Sequence, residues 1–74
     1  MDEQTRIKKD IIMFEENIKL LEGKDKQLLQ HPCITLATQY YEDAKYYLEV
    51  KKDYFTAFGC INYGHGLLDA HLKF

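Results

Sequence analysis

Asn62, His65 and Asp69 recur at spacings of three and four, which places an amide, an imidazole and a carboxylate on or beside one face of a helix. His65 and Asp69 stand one helical turn apart, a spacing that can bring a nitrogen and a carboxylate oxygen onto one metal ion, with Asp43 as a third ligand. The same group could run general-base chemistry, His65 taking a proton while Asp69 or Asp43 orients the ring. A structural alternative has His65 donating to a carboxylate or a tyrosine hydroxyl, closing a hydrogen-bond network that fixes the register of two helices. The structural network is the expected role. A metal site needs a defined ligand count that this spacing does not supply, and small helical ribonucleases pair an arginine with a later histidine on one helix. The sole arginine, Arg6, has no histidine after it on its own helix. Neither catalysis nor a cofactor is expected.

Those residues must be carried by the segment Asp53–Leu72, which reads as one helix. Tyr54, Phe58, Ile61, His65, Leu68 and Leu72 fall on one stripe of period 3.6 and predict its buried face. Gly59, Gly66 and Ala70 form a second line of small residues against which another helix backbone could come close, although each glycine costs about 1 kcal/mol of helix propensity relative to alanine. Upstream, Ile7, Ile11, Phe14, Ile18 and Leu21 repeat at four-three spacing and predict a helix over 3–22, ended by Gly23 as a left-handed cap. Ile12, Met13 and Leu20 widen its apolar arc beyond a single seam. The Leu28-Leu29 pair predicts a short turn tucked over one end of the core.

Pro32 suits the first position of a second helix over 33–51, with Cys33, Ala37, Tyr40, Ala44 and Tyr47 as its expected buried line, flanked by Leu36, Tyr41 and Leu48. Lys51-Lys52-Asp53 is then a tight turn, with Asp53 as N-cap of a third helix over 54–72. So short a connection makes helices two and three an antiparallel hairpin. The expected fold is all-α, an up-down-up three-helix bundle forming a single domain over 1–74.

Composition excludes several classes of function. With 46% hydrophobic and 30% charged residues the chain is too apolar for a disordered tail. Ten Lys and Arg against twelve Asp and Glu leave no concentrated basic surface, so nucleic acid is not an expected partner. No run approaches the ~18 apolar residues of a membrane helix, and Asp2 and Glu3 are unlike the start of a signal peptide, so a cytoplasmic protein away from the membrane is expected. Cys33 and Cys60 are far apart without C-x-x-C spacing and read as small core residues. Six tyrosines are many for this length. Tyr46, set among Glu42, Lys45 and Glu49, is the one that sequence places on the wet side, where an apolar ring with a polar tip favours protein contacts.

The run Tyr40-Tyr41-Glu42-Asp43-Ala44-Lys45-Tyr46-Tyr47-Leu48, the turn at Asp53-Tyr54, then Ala57-Phe58, Ile61-Asn62-Tyr63-Gly64-His65-Gly66 and Leu68-Asp69-Ala70 resembles the signature of a family of short archaeal proteins, domain of unknown function 357. The likeness in motif covers about half the chain, and the first helix matches in position and character. Two positions depart from the family's pattern: Lys52 stands where glycine is usual before the turn aspartate, and Gly64 where alanine is usual between the tyrosine and the histidine. The resemblance implies a compact three-helix bundle in an archaeal cytosol and no assigned activity.

The expected function is therefore a non-catalytic interaction module, binding an unknown protein partner or forming a homodimer through Ile12, Met13, Leu20, Tyr46, Gly59 and Gly66. The alternative is a small metal- or ligand-binding domain centred on Asn62, His65 and Asp69 with Asp43, in which His65 and Asp69 would be the metal ligands.

Overall fold

The computed structural model describes residues 2–72. Helix α1 spans Glu3–Lys24, a 3-10 helix follows over Lys26–Gln30, and α2 (Pro32–Glu49) and α3 (Tyr54–Leu72) complete the chain. The result is an all-α three-helix bundle with extents of 34 × 22 × 16 Å. Cross-helix contacts fix the directions. The His31 and His71 rings lie 4.6 Å apart and the Cys33 thiol reaches the Leu67 carbonyl, so the start of α2 meets the end of α3 and the two run antiparallel. Arg6 lies over the Phe58 ring and Asp10 meets His65, so α1 runs parallel to α3.

Each helix begins on a side chain that accepts a first-turn N–H. Asp2 accepts from Thr5 N–H at 2.7 Å, and the His31 Nδ1 accepts from Cys33 N–H at 3.0 Å with Pro32 behind it. Asp53 accepts from the Thr56 N–H at 3.1 Å and from the Thr56 hydroxyl at 2.6 Å. The Thr56 hydroxyl and N–H hold the Asp53 carboxyl below its ordinary pKa, the hydroxyl contributing more.

Two helix ends differ from the sequence expectation. Gly23 does not stop α1: no glycine has positive φ among the described residues, and the helix continues to Lys24. The stop is Asp25, whose backbone turns extended and whose carboxylate accepts the Gln27 N–H, capping the 3-10 helix instead. The second helix ends at Glu49, two residues before the expected Lys51, because Lys52 adopts φ 56°. That left-handed residue lets the Asp53 N–H return to the Tyr47 carbonyl at 2.9 Å and reverses the chain.

The core is made from one stripe of each helix. Ile7, Ile11, Phe14 and Leu21 of α1, Ile34, Ala37, Ala44 and Leu48 of α2, and Ala57, Ile61 and Leu68 of α3 are buried. Ile18, Leu28, Leu29, Tyr54 and Phe58 pack at its edge. On α2 the buried line is displaced from the expected one: Ile34 and Leu48 are buried, whereas Cys33, Tyr40, Tyr41 and Tyr47 are half-buried flanks and Leu36 is exposed. Both lines share Ala37 and Ala44, and the branched aliphatic residues take the centre. On α3, Ile61 and Leu68 are buried while Tyr54, Phe58 and His65 are partly so. The side chain of Leu72, the last of that expected stripe, lies outside the described residues. No buried side-chain nitrogen or oxygen lacks a partner among the described residues.

Gly64 is the glycine that packing requires. A Cβ there would sit 3.2 Å from the Ala37 carbonyl oxygen and 3.4 Å from the Phe14 ring, so its absence lets α3 lie close against α2.

Candidate functional site

His65 projects from α3 towards α1. Its Nε2 lies 2.7 Å from the Asp10 carbonyl oxygen, and a carbonyl only accepts, so Nε2 carries the proton and donates. The ring also meets Phe14 edge-on, with centroids 5.7 Å apart. His65 thus ties two helices together, as the structural reading expects, but through a main-chain carbonyl and not through a carboxylate or a tyrosine hydroxyl. A carbonyl inside a helix carries no sequence signal of its own, which is why this partner is not legible from residue types.

The His65 side-chain hydrogen bond goes to Asp10 and not to Asn62, Asp69 or Asp43. Asn62 is exposed, Asp69 is half-buried, and Asp43 is exposed on the far flank, where it lines a shallow hollow with Leu36, Gln39 and Tyr40. Asp43 lies near Cys60, whose thiol is pushed above its ordinary pKa by burial first and then by the charges of Asp43 and Asp53. A thiol held protonated is a poor nucleophile. Among the described residues, no group of three or more His, Cys, Asp or Glu side chains is placed to hold a metal ion. His65 and Asp69 therefore lack the third ligand that a metal site needs, and Asp43 does not supply it.

A different feature emerges between α1 and α2. These two helices touch far less than either touches α3, and between them lies an open trough of about 490 Å³. Phe14, Ile18 and Tyr41 form its apolar floor, and Glu15, Lys19, Glu22 and Thr38 its polar rim. Tyr41 stacks on Phe14 with centroids 4.9 Å apart and planes 9° from parallel. Its hydroxyl donates to the Glu15 carboxylate and accepts from Lys45 Nζ at 3.4 Å. Burial, followed by that bond to Glu15, raises the Tyr41 pKa, so the phenol stays protonated and keeps donating. The sequence signal for this trough was the i, i+3, i+4 pattern that puts Tyr41 and Leu48 in line with Ile34, together with the four-residue spacing of Phe14 and Ile18.

The expected interface residues are all exposed, but not on one face. Ile12, Met13, Leu20 and Tyr46 are 44–64% exposed. Met13 and Leu20, seven residues apart, share one stripe of α1, and Ile12 is rotated about 100° from Met13. Tyr46 lies on the outer side of α2 with Lys51 Nζ 5.9 Å from its ring centre. Gly59 and Gly66 face open space on the outer side of α3.

A family model described as a protein of unknown function, DUF357, matches residues 9–73. No curated protein and no solved structure matches the chain.

Proposed function

We propose that this chain, which belongs to the DUF357 family, is a non-catalytic protein-interaction module of the cytoplasm that takes an apolar segment of a partner protein into the trough between α1 and α2. The trough carries the reading. Its volume is on the scale of a ligand pocket, yet it is open to solvent and not enclosed, which suits a segment of a partner protein more than an enclosed small molecule. An aromatic floor inside a charged rim is also the composition of a binding surface, with Tyr41 as the anchor. Two free cysteines agree with a reducing compartment. Support for a role without catalysis comes from the engagement of the His65 ring with the Asp10 carbonyl in place of a carboxylate that would orient it as a base.

Photo-crosslinking tests this reading. A benzophenone side chain placed at exposed Thr38, on the trough rim, is expected to capture one discrete protein in a native lysate, and the same group at Lys9, on the outer side of α1, to capture none. Equal capture from both positions, or none from Thr38, would remove the trough as the binding surface.

A further inference from the structure

The residues of α3 classed as exposed are Phe55, Gly59, Asn62, Tyr63, Gly66 and Ala70, and none of them is charged. At about 100° per residue they fall on a single stripe roughly 100° wide. Phe55 is 87% exposed and Tyr63 55%. The exposed faces of the other helices differ, carrying Lys8, Lys9, Glu16 and Lys19 on α1 and Glu42 and Glu49 on α2. Gly59 and Gly66 are the second oddity. A Cβ at either would meet nothing within 4 Å, so alanine would fit and would strengthen the helix. Unlike Gly64, nothing within one chain requires them.

We infer that this stripe is a self-association surface, on which a second copy of α3 packs antiparallel about a two-fold axis between Asn62 and Tyr63. The surface is separate from the trough and does not depend on it. In that register all six exposed residues pair among themselves: Phe55 faces the partner's Ala70, Gly59 faces the partner's Gly66, and Asn62 faces the partner's Tyr63. A two-fold interface must be self-complementary, and this one is: a large ring opposes a methyl group, glycine opposes glycine, and a carboxamide opposes a phenol hydroxyl. The glycines then have a purpose, since paired glycines allow two helix backbones to approach. Electrostatics select the same face. Each chain carries a net charge of −2, and an uncharged stripe lets two copies meet without setting like charges against each other. From Phe55 to Ala70 the stripe runs about 22 Å, and one helix pair of that length falls short of the ~800 Å² per partner of a stable complex. The dimer is accordingly weak and concentration-dependent.

Sedimentation velocity from about 10 µM to about 1 mM should show a reversible monomer–dimer equilibrium in the whole chain. Gly59→Leu and Gly66→Leu each place a bulky side chain in space that is open in the monomer. They should weaken dimerisation by at least about tenfold without lowering the melting temperature of the dilute protein. The register has its own test, in a background where Cys33 and Cys60 are replaced by alanine. Gly59→Cys mixed with Gly66→Cys should form the mixed disulfide faster than either variant forms one with itself. A monomer at every concentration, undiminished dimers in the glycine variants, or preferential crosslinking between like positions would each overturn the inference. None of these outcomes bears on crosslinking from Thr38.

Discussion

His65 has the side chain best suited to chemistry, and the bond it makes decides what it does. Its proton is committed to the Asp10 carbonyl, and its edge packs on Phe14 at the back of the trough. His65→Ala should lower stability by about 1–2 kcal/mol in urea unfolding, through the lost hydrogen bond and the lost ring contact. Asp69→Ala should stay within about 0.5 kcal/mol of the parent, since no partner at His65 is lost. If Asp69→Ala were as costly as His65→Ala, the two would belong to one network after all. At this scale the sequence was legible in kind but not in detail. The spacing of Asn62, His65 and Asp69 correctly placed His65 beside the buried face, but it could not see a backbone acceptor on another helix. Nor could it tell which glycine matters. Gly64, read as a departure from the family pattern, is the one held against Ala37 and Phe14, while Gly59 and Gly66 stand free.

Among the elements, the tight turn between α2 and α3 carries strain. Lys52 occupies the left-handed region at φ 56°, which a residue with a Cβ enters at a cost of about 1–2 kcal/mol. Glycine removes the steric part and adds some unfolded-state entropy, so Lys52→Gly should raise stability by about 0.5–1 kcal/mol in thermal melts. A loss of stability would mean that the lysine stem contributes more than the backbone strain removes. The inward face of helix α1 was legible because Ile7, Ile11, Phe14, Ile18 and Leu21 are strongly apolar and lie on one stripe. Helix α2 was less so. Two lines displaced by one residue share Ala37 and Ala44, and the tyrosines on one made it look as apolar as the other. Only packing chose Ile34 and Leu48 for the centre, leaving Tyr41 and Tyr47 alike at its edge. The end of α1 was misplaced for a comparable reason, because the cap preference of Gly23 yielded to Asp25, which serves the following 3-10 helix.

At the level of the whole molecule the three helices are not equivalent. Helices α2 and α3 form an extensive antiparallel pair joined by a short turn, whereas α1 rests on α3 and barely on α2. The asymmetry that opens the trough also sets an order of unfolding. Native-state hydrogen exchange should find amides in the middle of α1, near Phe14, released by a subglobal opening that costs less than exchange near Ile61 and Leu68. Uniform exchange free energies along the chain would show that the bundle opens only as one unit. A protein seated between α1 and α2 would grip both walls and close that energetic gap. Protection of α1 amides would then rise towards that of the hairpin, and binding would be recorded as cooperativity restored to a fold that lacks it when alone.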